Sequence, residues 1–260
     1  MIDTTPQSLA QVLDSALLGA QEMERLTNRQ PDMTLVDAYG IQAEGIKLRE
    51  ARGENPVGFK MGFTSKAKME QMGLYSPIYG ILTDQMQVQN EGHFPLTGTI
   101  HPKIEPEIVF RLGKNLKGKV TQRDVLQALD GVTAGLEILD SRFVGFKYFS
   151  LPDVVADNCS SRAFVVGTQW HDPRTINLDS LKMVITADDQ PVHEASSSAI
   201  LGNPLESVVQ LCTMLHDSGL FIKAGSIVFA GAATQAISLT RDMKVSATVE
   251  KLGTVTVWAV

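Results

Sequence analysis

Apolar residues near the start of the chain recur at the spacing of one helix face: Leu9, Val12, Leu13, Ala16, Leu17 and Ala20, from Ser8 onward. A second helical pattern runs through Leu35, Ala38, Tyr39, Ile41 and Ile46 and stops near Gly53 and Pro56. Thr34 suits its N-cap, where a hydroxyl accepts from an otherwise unpaired backbone N–H, and Asp37 stands near the positive end of the helix dipole. From Pro56 the texture changes to short apolar runs punctuated by glycine and proline. These predict strands over 57–63, 108–112, 132–139, 163–166, 183–187, 227–230, 244–250 and 254–260. Helices are predicted over 65–72, 121–128 and 205–218, the last opening after Asn203-Pro204 and closing at Gly219. Gly225-Ser226 and Leu252-Gly253 read as turns. The pattern is α+β: a helical N-terminal lobe over 1–76, then a β-rich core over 77–260.

Composition narrows the class of partner. The chain has 260 residues, 43% hydrophobic and 20% charged, which suits a globular fold with a substantial core. Lys and Arg number 23 against 29 Asp and Glu, a net charge of −6 that lacks the basic footprint of a nucleic-acid or anionic-membrane binder. No apolar run reaches the roughly 18 residues of a membrane span. The opening MIDTTPQSLAQ lacks the basic-then-apolar layout of a secretory signal. A cytoplasmic protein handling a small molecule is expected. The two cysteines, Cys159 and Cys212, form no C-x-x-C pair, and the five histidines show no H-x-x-x-H spacing, so a zinc site is not indicated. The glycine at Ala230-Gly231-Ala232-Ala233 belongs to no phosphate-binding motif.

Candidate chemistry concentrates in His101-Pro102-Lys103-Ile104-Glu105-Pro106-Glu107-Ile108. Two residues apart on a strand, Glu105 and Glu107 share one face. Adjacent carboxylates repel unless protonated or bridged by a cation, and a hard divalent ion with oxygen ligands, Mg²⁺ or Mn²⁺, is the natural bridge. A solvated strand face carrying two glutamates is the plainer alternative. Glu137 sharpens the case because it interrupts the apolar run Gly135-Leu136-Glu137-Ile138-Leu139, where an unpaired charge is expensive. Its alternative is a salt bridge to Arg142 or to a lysine. Lys60, flanked by Gly58, Phe59, Met61 and Gly62, is either a partly buried amine able to stabilise an enolate or a strand-edge lysine reaching solvent. The polar cluster at 157–162 follows Val154-Val155-Ala156 and reads as a ligand-contacting loop or an Asx-type turn. Cys159 within it has no histidine placed to activate it as a nucleophile.

Taken together and in order, V-G-F-K-M-G-F-T-S, S-P-I-Y-G, H-P-K-I-E-P-E-I, L-E-I-L-D-S-R and V-V-A-D-N-C-S-S resemble the fumarylacetoacetate hydrolase superfamily, in its vinylpyruvate hydratase and 4-oxalocrotonate decarboxylase branch. The resemblance spans nearly the whole chain. It implies a mixed β-roll core with an N-terminal helical lid. It also implies Mg²⁺ or Mn²⁺ held by Glu105, Glu107 and Glu137, a catalytic Lys60, and a substrate loop at Asp157, Asn158 and Ser160 or Ser161. Hydratases of the branch carry an acidic residue in the segment that reads Pro77-Ile78-Tyr79-Gly80 here, and Ile78 cannot act as acid or base. The chain resembles the decarboxylases of the branch instead, with K-M-G, Q-M-G and P-I-Y-G at Lys60, Gln71 and Pro77, and Ile78 and Tyr79 are expected to wall the substrate with apolar surface. The implied activity is decarboxylation of a small oxo-diacid, 2-oxohex-3-enedioate. Hydration of 2-hydroxypenta-2,4-dienoate is the alternative, and a non-catalytic partner of a hydratase complex is a third reading. A homo-oligomer is implied, able to complex with a vinylpyruvate hydratase. A dianionic substrate beside three glutamates needs a cation besides Lys60, and Lys103 and Arg142 are the candidates.

Overall fold

The computed structural model describes residues 4–65, 69, 76–146 and 150–260. Two helices open it, α1 (Pro6–Gly19) and α2 (Leu35–Ala51). Thr5 caps the first by accepting from the Ser8 N–H. A reciprocal capping box starts the second: Thr34 Oγ1 accepts from the Asp37 N–H, and the Asp37 carboxylate accepts from the Thr34 N–H at 2.9 Å. Both helices lie where the apolar spacing predicts them. The helix expected over 65–72, including Gln71 and Met72, lies outside the described residues except for Ser65 and Met69.

The strands form two sheets. The larger combines β1 (Pro56–Gly62), β2 (Ile78–Thr83), β3 (Gln87–Val88), β5 (Lys103–Leu112), β6 (Leu129–Leu139), β7 (Ser161–Val166), β10 (Ile227–Ala232) and β11 (Ile237–Ser238). Its order is β2-β1-β10-β5-β6-β7-β3, with β11 paired to the start of β5. The smaller runs β4 (Gly92–Phe94), β13 (Gly253–Ala259), β12 (Lys244–Val249), β8 (Lys182–Ala187) and β9 (Gln190–Ser196). One face of the large sheet, carrying Ile104, Ile108, Phe110, Leu136 and Ile138, packs on Ile185, Val245, Ala247, Val255 and Val257 of the small one. Leu205, Val208, Leu211 and Leu215 of helix α5 (Pro204–Asp217) join the same core. Helix α3 (Gln122–Ala128) contributes Val125 and Ala128 to it. This is a mixed sheet flanked by helices, the α+β architecture expected, in the half-barrel form.

Two features depart from the expectation. Strand β1 lies inside the large sheet, parallel to β10 and antiparallel to β2, so the helical lobe ends before Pro56 and not at residue 76. The backbone of 56–62 finds its hydrogen-bond partners only between those strands. Second, the segment before Asp157, for which the sequence pattern predicts no element, is a short helix, α4 (Leu151–Ala156). Asp153 anchors it by accepting from Thr27 through both its backbone N–H, at 3.2 Å, and its hydroxyl, at 2.5 Å. A second apolar cluster, including Leu9, Leu13, Ile41, Ile78, Val155 and Cys159, ties α1 and α2 to β2 and α4. No helix among the described residues is long and apolar enough to cross a membrane.

Candidate metal centre and active site

The opposite face of the large sheet begins with a small buried apolar cluster of Leu82, Met86, Val109, Phe164 and Phe229. Further along that face the chemistry changes. Alternation along β5 points Lys103, Glu105 and Glu107 the same way. Antiparallel pairing sets Leu139 opposite Lys103, Glu137 opposite Glu105 and Gly135 opposite Glu107. Register therefore converges three carboxylates that sequence separation hides. One oxygen from each of Glu105, Glu107 and Glu137 lies within 4.8 Å of the other two.

Glu107 and Glu137 are fully buried, and each has a distinct partner. Lys60 Nζ lies 3.1 Å from both oxygens of Glu137, and Ser161 Oγ donates to Glu137 Oε1 at 3.0 Å. Lys60 is only 3% exposed, so it is the buried amine of the two readings and not the solvent-reaching one. Burial alone lowers its affinity for a proton. The surrounding carboxylates, Glu137 first and then Glu105 and Glu107, outweigh that and hold it cationic, above the ordinary lysine range. Glu107 Oε2 accepts from the Gly231 N–H at 2.6 Å. Its other oxygen, Oε1, is buried with no hydrogen-bond partner among the described residues. Burial, then repulsion from Glu137 and Glu105, raises the Glu107 carboxyl well above its usual range. A buried carboxylate oxygen without a donor, facing two further carboxylates, fits a hard divalent cation with oxygen ligands.

Gly231 has a special role here. Its φ is +103°, and a Cβ there would come within 2.1 Å of Thr64 Oγ1. Only glycine lets β10 present this N–H to Glu107. Its position between alanines at a strand end was the available sequence signal, but the acceptor is 124 residues away.

Beside the carboxylates lies a cavity of about 290 Å³. Its wall is mostly apolar, including Met61, Phe63, Ile78, Leu139, Phe146, Val154 and Cys159. Lys60, Lys103 and Glu105 are its charged residues among those described, and Thr64, Ser65 and Gln235 add polar groups. A smaller space is bounded by α1, α2 and the 156–161 segment. The larger cavity holds the chemistry, because Lys60 and Glu105 open into it.

The expected substrate residues divide. Ile78 lines the cavity; Tyr79 faces the other way, stacked on Tyr39 with ring centroids 4.6 Å apart. The main chain of Tyr79 is pinned: its N–H donates to Tyr39 Oη at 3.2 Å, and its carbonyl accepts from Gln42 Nε2 at 3.0 Å and Cys159 Sγ at 3.1 Å. Asp157 is buried and paired with the Arg142 guanidinium through Nε; Arg142 Nη1 is buried with no hydrogen-bond partner among the described residues, and Arg142 does not line the larger cavity. Asn158 receives the Ile81 N–H at 2.8 Å and donates to the Ile81 carbonyl at 2.9 Å, latching the loop to the edge of β2. Gly80 permits that approach, since a Cβ would meet Asn158 O at 2.9 Å. Ser160 is buried beside Asp157, and Ser161 supports Glu137. None of Asp157, Asn158, Ser160 and Ser161 lines the larger cavity, whereas Cys159 does. Residues 158–160 all have positive φ, which turns the loop so that Cys159 faces inward. Burial pushes its thiol up to about 12, so it is a neutral wall residue, consistent with the absence of an activating histidine. No described residue of α1 or α2 lines the cavity; these helices act on it through Tyr39 and Gln42, which fix β2.

The family described as Fumarylacetoacetate (FAA) hydrolase C-terminal matches residues 67–258. A 4-oxalocrotonate decarboxylase of a Pseudomonas species is 43% identical over 245 residues, covering 94% of each chain. A 2-hydroxyhexa-2,4-dienoate hydratase of Comamonas testosteroni is 36% identical over 251 residues, covering 95% of each. Among solved structures, 4-oxalocrotonate decarboxylase from Pseudomonas putida G7, complexed with magnesium and adipate, superposes with a TM-score of 0.95 at 36% identity, over 98% of this chain and 97% of the other.

Proposed function

The chain belongs to the fumarylacetoacetate hydrolase family, and on that premise we propose that it decarboxylates 2-oxohex-3-enedioate (4-oxalocrotonate) to 2-hydroxypenta-2,4-dienoate and CO₂. Glu105, Glu107 and Glu137 hold the divalent cation, Mg²⁺ or Mn²⁺. The observation that carries this reading is the buried carboxylate cluster, with Glu107 Oε1 lacking a donor, set at the edge of a largely apolar cavity with Lys60 beside it. The magnesium and adipate of the Pseudomonas putida structure support it, adipate being a six-carbon diacid like the substrate.

The reaction breaks the C5–C6 bond. Its electron pair forms the C4=C5 double bond, the former C3=C4 pair moves to C2=C3, and the carbonyl pair ends on the 2-oxygen as a dienolate. The bound cation supplies Lewis-acid polarisation of an α-keto acid, an effect worth several kcal/mol of charge stabilisation. The Lys60 ammonium, held cationic by its carboxylate neighbours, stabilises the developing oxyanion and provides the proton that makes it an enol. Met61, Ile78, Leu139 and Val154 exclude water from the departing carboxylate. Among the described lining residues the only carboxylate is Glu105 and there is no histidine, so none is left to activate water for hydration. We place the chain in the degradation of aromatic rings by meta-cleavage, as a homo-oligomer able to join a vinylpyruvate hydratase.

Product analysis tests this reading. With Mg²⁺, CO₂ is expected from 2-oxohex-3-enedioate, and 2-hydroxypenta-2,4-dienoate is expected to persist when supplied alone. Loss of the dienol absorbance without CO₂ would assign hydration instead, and turnover of neither would assign the partner-subunit reading.

A further inference from the structure

The proposed substrate carries two carboxylates, and the metal cluster accounts for one of them. Three glutamates, a divalent ion and Lys60 sum to zero charge, so a bound dianion brings two charges that nothing yet balances. The described residues lining the cavity include two cations, Lys60 and Lys103. Lys60 is at the buried end, shared between both oxygens of Glu137. Lys103 is half-buried, nearer the rim, on the same face of β5 as Glu105 and Glu107.

We propose that Lys103 is the specificity-determining residue that receives the distal carboxylate of the diacid, the one lost as CO₂. The inference rests on the decarboxylase reading above. Two strand residues span about 7 Å, so Lys103 stands beyond Glu105 by roughly the separation of the two carboxyl carbons in an extended six-carbon diacid. Leu139, opposite Lys103 in register, lines the cavity at the Lys103 end. Lys103 Nζ rests over the Phe146 ring, 4.2 Å from its centroid. A cation–π contact holds an ammonium more loosely than a carboxylate partner does, so Lys103 is available to an incoming anion in the cavity, which Arg142, bound to Asp157, does not line.

This placement has a kinetic consequence. The distal carboxylate becomes neutral CO₂, so its ion pair with Lys103 is strongest in the ground state and fades at the transition state. Lys103 then contributes to selection and binding of diacids and not to acceleration of the chemical step. Its loss should raise KM without lowering kcat, the opposite of Lys60.

The test compares adipate with hexanoate, which keeps the chain length and lacks the second carboxylate. Binding of each to the Mg²⁺-loaded protein is measured by calorimetry for the natural chain, Lys103→Met and Lys103→Arg. The natural chain is expected to prefer adipate, and Lys103→Met to lose about ten- to a hundredfold of adipate affinity with hexanoate unchanged. Lys103→Arg, which retains the charge, should keep the preference and also reports on folding. KM for 2-oxohex-3-enedioate should rise in Lys103→Met by a similar factor with no fall in kcat. Equal loss of adipate and hexanoate, an unchanged adipate affinity, or no preference in the natural chain would overturn the assignment. The two readings fail separately. Turnover with an unmoved KM in Lys103→Met removes Lys103 and keeps the decarboxylase; adipate preference without CO₂ release does the reverse.

Discussion

Replacing Glu107 with Gln is expected to abolish metal-dependent CO₂ release while leaving the chain folded. Gln has nearly the same shape, and its carbonyl oxygen still accepts from the Gly231 N–H that Glu107 uses at 2.6 Å. What changes is the second oxygen, Oε1, now without a donor, which becomes an NH₂ group directed at the cation's place. The Lewis-acid contribution of several kcal/mol is lost with the ion, so turnover should fall by about a thousandfold or more. Stability should move the other way. The natural chain buries a carboxylate against Glu137 and Glu105, and the neutral amide removes that repulsion. Thermal unfolding without metal should therefore occur at the same or a higher temperature in Glu107→Gln. Adding Mg²⁺ should stabilise the natural chain and not the variant, because a ligand raises stability only where it binds the folded state. Unchanged turnover in this variant, or an intact Mg²⁺-induced shift, would remove Glu107 from the metal centre.

Lys60→Met should produce the second large effect, on both stability and chemistry. The substitution leaves Glu137 fully buried without its cation. Breaking one side of a buried pair costs about 3–5 kcal/mol, because the surviving charge stays desolvated. A bound divalent ion neutralises the same carboxylate, so the stability loss measured by urea unfolding should shrink when Mg²⁺ is present. The chemistry has no such substitute. Proton handling and oxyanion stabilisation by one positioned group are worth roughly a hundredfold to ten-thousandfold, and kcat should fall within that range. KM should change much less, since substrate is held chiefly by its carboxylates. A variant with normal kcat but weakened folding would make Lys60 a structural partner of Glu137 alone.

Much of this site was legible in the order of residues, and the exceptions share a cause. Alternation alone put Glu105 and Glu107 on one face, and the cost of an unpaired charge marked Glu137 inside its apolar strand. What joins them is register, with Glu105 opposite Glu137, a long-range pairing that no local pattern displays. Lys60 was ambiguous for the same reason, since its buried partner is 77 residues away. Arg142, a reasonable partner for Glu137 by proximity in sequence, turns instead to Asp157 across a tight loop. Strand β5 begins at Lys103, earlier than the apolar run at Ile108, because charged residues and Pro106 conceal the strand while it binds between β10 and β6. Strand β9 escaped notice because Gln190–Ser196 is an edge with little buried surface, so it lacks the apolar alternation that reveals a strand. The Asp157–Ser161 segment read equally well as a ligand loop or a turn. Its side chains mostly hold backbone in place, and the residue it delivers to the cavity is Cys159.

Titration of Mg²⁺ into chelator-stripped protein, with CO₂ release from 2-oxohex-3-enedioate followed at each step, tests the metal-dependent decarboxylase most directly. The account predicts that activity rises from background to a plateau at one ion per chain in the natural sequence, and stays at background throughout in Glu107→Gln. Equal CO₂ release before and after the metal is restored, or consumption of substrate with no CO₂, would contradict it.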